Sequence, residues 1–203
     1  MQGDLFPIDS DISNIYPGPI VGIDEAGRGP LCGPVVAAAV IIPDGLLIEG
    51  LDDSKKLSLK KREALYEIIV KDCMVGVSFV DEKKIDEINI LQATYLAMTQ
   101  ALQQIDTSNY KNVLIDGNSV PLGINNAYAI IGGDGKVPAI AAASVVAKVS
   151  RDRYMHGLHM QFPQYNWVKN KGYATAEHRQ SIVEFGPCEH HRQSFIKKIY
   201  AND

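Results

Sequence analysis

Two rhythms of apolar positions run along the chain. Ile20 to Asp24 and Pro34 to Ile42 are short, mostly apolar runs of the kind that form buried strands, and Val75 to Val80 alternates as a strand does. Between them Ser58 is a candidate N-cap, followed by Leu65, Ile68 and Ile69 on one helical face. Leu91, Tyr95, Met98, Leu102 and Ile105 step by four and three, which predicts a second amphipathic helix. Val113 to Asp116 and Ala127 to Ile131 read as further strands that end in glycine. The Ala-rich stretch from Pro138 to about Met160 reads as a helix with its proline in the first turn. Beyond Phe162 the chain is loop-rich, with one short helix predicted from Ala176 to Phe185 and His190-His191 expected at the surface. Strands come early and then alternate with helices, so the pattern predicts an α/β sheet of mixed direction.

Residues 1 to 18 are polar and acidic, broken by Pro7, Pro17 and Gly18, and are expected to form a flexible arm. One domain over 19–203 is expected to follow, with a helical extension from about residue 162. A length of 203 residues with 46% hydrophobic and 22% charged residues suits such a domain. Cys32, Cys73 and Cys188 lie in no C-x-x-C spacing, which argues against a disulfide framework or zinc site and favours a reducing compartment. No signal peptide is evident and no apolar run is long enough to span a bilayer, so a cytoplasmic location is expected. The net charge of −4 speaks against a polyanionic partner. The basic residues nevertheless cluster, around Lys55, Lys60 to Arg62, Lys148 to Arg153, Lys169 to Lys171 and Arg192 to Lys198, and an acidic chain can still carry one basic groove.

The chemistry is concentrated in carboxylates. Asp24-Glu25 end the first predicted strand, Asp116 ends the fourth and Asp134 follows the fifth. The carboxyl ends of strands are where α/β folds build sites. Clustered carboxylates repel one another, and a hard divalent cation, Mg²⁺ or Mn²⁺, relieves that repulsion. Two such ions can activate water and stabilise the leaving oxygen of a phosphodiester. Taken singly, an Asp at a strand end is more often a turn residue than a ligand. Neighbours in a regular strand also face opposite ways, so Asp24 and Glu25 share a site only if the strand breaks there, as Gly27 and Gly29 would allow.

The stretch Val21-Gly-Ile-Asp-Glu-Ala-Gly-Arg-Gly-Pro-Leu-Cys-Gly-Pro-Val35 resembles the signature of ribonuclease HII. Further blocks follow in the same order: Asp53-Ser-Lys-Lys-Leu57, Ile115-Asp-Gly117, Asp134 with Ala139 to Asp152, Lys171-Gly-Tyr-Ala-Thr175 and His191-Arg-Gln-Ser-Phe195. The resemblance covers about residues 20 to 196. It implies a ribonuclease H-like fold: a mixed five-stranded sheet flanked by helices, with a helical C-terminal extension. It implies Asp24, Glu25, Asp116 and Asp134 as the metal-binding catalytic carboxylates. Implied, too, is endonucleolytic cleavage of RNA in RNA–DNA hybrids and on the 5′ side of ribonucleotides embedded in DNA, leaving 5′-phosphate and 3′-hydroxyl ends. Such an activity serves ribonucleotide and RNA-primer removal in replication and repair.

Other residues fit a substrate-binding role. Gly27-Arg28-Gly29 lets backbone N–H groups approach a phosphate or 2′-hydroxyl, and Arg28 adds a charged fork, although the glycines would also serve a plain turn. By resemblance, Tyr173 stacks on a sugar at the RNA–DNA junction and Lys55 belongs to a basic loop. Ser144, Lys148 and Asp152 share a helix face, so Ser144 and Lys148 are candidate phosphate contacts, with a plain Lys148–Asp152 pair as the alternative. Ribonuclease HIII differs in having Gly-Lys-Gly at the signature and an added N-terminal domain, for which the 20 or so residues before the first strand leave no room. A hybrid-binding module without catalysis is disfavoured, because binding a polyanion needs no anionic cluster. Gln2-Gly-Asp-Leu-Phe6 resembles the peptide by which bacterial proteins hook onto the DNA sliding clamp, with the second position departing. No seam demands a second copy, so a monomer is expected.

Overall fold

The computed structural model describes residues 12, 14–52, 54–55 and 57–200. Five strands form one sheet: β1 (Ile20–Ala26), β2 (Val35–Ile41), β3 (Met74–Val80), β4 (Asn112–Asp116) and β5 (Ala127–Ile130), in the order β3-β2-β1-β4-β5. The β1–β2 and β2–β3 pairs are antiparallel, while β1–β4 and β4–β5 are parallel. The sheet is therefore mixed, as the alternation of elements predicts. Helices α1 (Leu59–Asp72), α2 (Glu82–Leu102), α3 (Pro138–Gln161), α4 (Trp167–Asn170), α5 (Ala176–Phe185) and α6 (Gln193–Tyr200) complete it.

Every residue of β2 is buried because both faces of the sheet are covered. Val35, Ala37 and Ala39 pack with Ile85, Ala97 and Met98 of α2. Ala38 and Val40 pack with Ala142, Ala143 and Val146 of α3 and with Leu65 and Ile69 of α1. The small residues on that second face bring α3 very close. A Cβ built on Gly22 would stand 2.1 Å from the Ala139 carbonyl carbon, so no side chain fits at that crossing.

Local chemistry sets most helix starts. Ser58 accepts from the Lys61 N–H, Asp81 from Lys84 and Thr175 from His178, and Pro138 opens α3. The second helix begins at Glu82, earlier than its apolar stepping predicts, because Asn89 takes φ 66° and joins two helical segments in different phase. The C-terminal extension holds three helices where one is predicted. Its core is aromatic: Tyr165 stacks on Trp167 at 5.0 Å and both face His191. Near the other end, Ile12 is buried against Leu114, Val137 and Ile140, so the docked part of the chain starts within the segment expected to be an arm. The remainder of that arm, with Gln2–Phe6, lies outside the described residues, as do Asp53 and Lys56 of the basic loop.

Candidate active site

Parallel pairing of β1 and β4 builds the first half of the site. Ile23 is in register with Ile115, so Asp24 and Asp116 follow side by side at the carboxyl ends of neighbouring strands. Both point toward α3, on the face that holds Gly22 and Leu114. Asp134 arrives on the short 3₁₀ turn Gly133–Gly135 that leads into α3, and the Gly133 N–H donates to Asp116 Oδ1 at 2.7 Å. Carboxylate oxygens of Asp24, Asp116 and Asp134 all lie within 4.8 Å of one another.

Glu25 stands beside this trio and is not part of it. The strand does not break at Asp24: β1 runs on to Ala26, still paired with β2 as Glu25 with Ala37. Alternation therefore turns Glu25 away from Asp24, and its Oε1 lies 3.2 Å from Arg28 Nη1. Its charge still reaches the trio, since Glu25 raises the Asp24 pKa and Asp116 raises both.

The electrostatics are those of a crowded anionic site. Burial, then the charges of Glu25 and Asp116, raise the Asp24 pKa well above the ordinary carboxylate value. Burial raises Glu25 against the opposing pull of Arg28. Asp116 is raised by burial and by Asp134, with the Gly133 N–H acting the other way. Lys55 supplies positive charge from the facing loop, its Nζ 3.3 Å from Asp134 Oδ2. Three mutually repelling, oxygen-only donors fit a hard divalent cation.

The remaining predicted residues separate by burial. Gly29 and Tyr173 are neighbours: a Cβ on Gly29 would lie 3.7 Å from Tyr173 Cε1, and Tyr173 is 45% exposed. Arg28 and Lys55 are likewise exposed on this rim. Ser144 is not: it is buried, hydrogen-bonds Asp24 and meets Ser54 Oγ at 2.8 Å, which makes it a support for the acid rather than a surface contact. Lys148 donates to Asp152 at 2.7 Å, the plainer of its two readings, and Arg62 lies 3.7 Å from the same carboxylate. Arg62 also donates to the Ser54 and Leu57 carbonyls and so anchors the Lys55 loop.

Two residues counted among the basic clusters are not in a groove. Arg151 and Arg192 are fully buried and spend their guanidinium donors on backbone carbonyls. Arg151 bonds Pro34, Cys32 and Lys171; Arg192 bonds Gly27, Arg28 and Gly33. Nothing in their spacing distinguishes them from surface arginines, so sequence reasoning passes over them.

His190 and His191 are not at the surface either. His190 Nδ1 lies 2.6 Å from Glu82 Oε1, and His191 is buried. Cys32, His178 and His191 also gather closely enough to suggest a metal, yet hydrogen bonds account for both rings. The Trp167 indole N–H donates to His178 Nε2, so His178 carries its proton on Nδ1, toward the Tyr173 carbonyl. The Cys188 N–H donates to His191 Nδ1, leaving Nε2–H of His191 to face His178 Nε2 at 3.2 Å. Both rings are thus neutral, and burial lowers the His191 pKa to about 4.

The family model described as Ribonuclease HII matches residues 21–202. Ribonuclease HII of Polaromonas sp. (strain JS666) is 51% identical over 196 residues, covering 96% of each chain. The RNase HII in a complex with PCNA from Archaeoglobus fulgidus superposes with a TM-score of 0.68 at 28% identity, over 87% of this chain and 94% of that one. Bst-RNase HIII, solved in complex with Mn²⁺, shares the fold with a TM-score of 0.76 at 16% identity, over 97% of this chain and 73% of that one.

Proposed function

The chain belongs to the ribonuclease HII family, and from that premise we propose how its site performs metal-dependent cleavage of RNA paired with DNA. The protein is an endoribonuclease acting on RNA–DNA hybrids, a hydrolase that uses a divalent metal. The observation that carries the reading is the trio Asp24, Asp116 and Asp134, three carboxylates within 4.8 Å of one another at the carboxyl ends of the central strands and the head of α3.

Those three residues would hold the cation, with Glu25, the residue after Asp24 in β1, as the fourth carboxylate of the proposed set. A divalent cation held there, Mg²⁺ or Mn²⁺, would supply the Lewis acidity needed to activate water and stabilise the leaving 3′-oxygen. The chain's own groups do the rest. The Ser144 hydroxyl bonds Asp24 and favours its ionised form against the burial and neighbouring charge that oppose it. The Gly133 N–H orients Asp116. Gly27, Arg28 and Gly29 present donors to the phosphate and 2′-hydroxyl of the scissile nucleotide, Tyr173 packs against its sugar, and Lys55 draws in a flanking phosphate, while Lys148 stays paired with Asp152. Reading one 2′-hydroxyl in this way suits cleavage on the 5′ side of a single embedded ribonucleotide, with 5′-phosphate and 3′-hydroxyl products. That activity serves ribonucleotide and primer removal in replication and repair, in the cytoplasm, by a monomer. Among the described residues no helix is long and apolar enough to cross a membrane.

Gln2–Phe6 is a clamp-binding peptide in this reading, supported by its likeness to such peptides and by the PCNA partner of the Archaeoglobus relative. Equal clamp affinity with and without residues 1 to 8 would end that part of the proposal.

The test of the activity is a labelled DNA duplex holding one ribonucleotide, incubated with Mg²⁺ or Mn²⁺ and with EDTA. Cleavage 5′ to the ribonucleotide should require metal, spare an all-DNA duplex and be lost in Asp116→Asn by roughly 10³-fold or more. Failure to cut both this duplex and a long hybrid would leave a binding module as the better account.

A further inference from the structure

The peptides of Gly27-Arg28-Gly29 are used unequally on their two sides. The Gly27 carbonyl accepts from Arg192 Nη2 at 2.6 Å and the Arg28 carbonyl from Arg192 Nη1 at 3.0 Å. No hydrogen bond among the described residues uses the N–H of Gly27, Arg28 or Gly29. The carbonyls are therefore drawn inward and the donors are left for the cleft. Glycine-flanked peptides rotate easily, and a flipped peptide would offer a carbonyl where a phosphate or 2′-hydroxyl expects a donor. The same guanidinium also bonds the Gly33 carbonyl through Nε at 3.0 Å and Nη2 at 2.7 Å, so one planar fork spans both ends of the loop.

The neighbouring arginine explains why position 27 must be bare. A Cβ on Gly27, at φ +96°, would stand 2.2 Å from Arg151 Nε. Arg151 in turn bonds the Lys171 carbonyl, and the Leu31 N–H donates to the Gly172 carbonyl, which ties the loop to the segment carrying Tyr173. Arg192 itself is fully buried and reaches no substrate.

We infer that Arg192 is a positioning residue for ribonucleotide recognition, fixing the polarity of the Gly27–Gly29 peptides so that their N–H groups face the scissile nucleotide. The inference rests on the hybrid-cleaving function proposed above. Lysine at this position keeps a charge, but its donors radiate from one nitrogen and cannot span the Gly27, Arg28 and Gly33 carbonyls that the fork reaches through three separate nitrogens.

The experiment is binding by fluorescence anisotropy in the full chain, with Mg²⁺ present and Asp116→Asn as the uncut background. Two duplexes are compared, one all DNA and one with a single ribonucleotide. Arg192→Lys should lower the preference for the ribonucleotide duplex by roughly tenfold, weakening that duplex well beyond any loss on all-DNA duplex, which offers the loop a phosphate but no 2′-hydroxyl. An unchanged preference overturns the inference, and so does equal weakening on both duplexes or loss of all binding, since those are the signs of a structural role alone. If the parent protein itself shows no preference and the unmutated enzyme cuts no ribonucleotide duplex, the functional reading fails and the inference with it. A parent that discriminates while the lysine variant matches it removes only the inference.

Discussion

The Ser144 hydroxyl bonds the Asp24 carboxylate and meets Ser54 Oγ at 2.8 Å, so one small side chain links an acid of the site to the loop that carries Lys55. Its bond favours the ionised form of an acid that burial and neighbouring charge push the other way. Removing the hydroxyl leaves Asp24 harder to ionise, and a proton then competes better with the cation. Ser144→Ala is expected to weaken Mn²⁺ binding by roughly tenfold, the usual scale for a group that supports a ligand, as calorimetric titration would read. Unaltered affinity would mean that Asp24 is not a ligand or does not depend on this bond. Sequence spacing places Ser144 on a shared helix face with Lys148 and Asp152, but it cannot say which way that face looks. The packing of α3 decides it, turning Ser144 onto the sheet and leaving Lys148 to pair with Asp152.

At the scale of elements, the seating of α3 depends on the absence of a side chain at Gly22. Adding one methyl would force the Ala139–Ile140 backbone off β1, because the clash at 2.1 Å is with main chain. Gly22→Ala is predicted to destabilise the fold by about 1–3 kcal/mol, measured as a shift in urea midpoint at constant slope. Activity should fall further than the folded fraction does, since the same shift carries Ser144 and Asp134 away from Asp24. The strands were legible because buried strands announce themselves as apolar runs, and β2 and β3 fall within a residue or two of their predicted limits. Carboxylates at strand ends were legible for the same reason. Less visible were α4, a single turn too short for periodicity to show, and α6, whose apolar positions Phe195, Ile196 and Ile199 recur at helical spacing but fall in a stretch read only as a sequence block. Arg151, Arg192, His178 and His191 were hidden more deeply. Their partners lie up to 165 positions away, mostly on backbone carbonyls that carry no residue identity.

For the molecule as a whole, the C-terminal extension is fastened to the first turns of α2 by polar contacts at several points. The Gln193 and Ser194 N–H groups and the Ser194 hydroxyl bond Asp86 of α2, and His190 meets Glu82 nearby. His191, at the centre, is held neutral by burial, its pKa lowered from 6.5 to about 4. The unfolded chain therefore binds a proton that the folded one refuses between those values. This group costs nothing above pH 6.5, and its penalty grows as pH falls toward 4, reaching roughly 3 kcal/mol. Thermal melts from pH 7 to 4 should show this acid loss, reduced in His191→Gln relative to the parent; identical pH dependence in both would assign it elsewhere. The Lys55–Asp134 contact has a consequence of another kind. With Asp134 as a ligand, as proposed, an ammonium and a divalent ion would contend for one carboxylate, so whatever draws Lys55 toward a phosphate would make room for the ion, and the ion would free the ammonium for the phosphate. Thermodynamic reciprocity then requires duplex and cation to tighten each other's binding by the same factor. Titrating an all-DNA duplex at rising Mg²⁺, and Mg²⁺ at rising duplex, should return equal factors that shrink in Lys55→Ala. Enzyme that meets its substrate would thereby load its own metal.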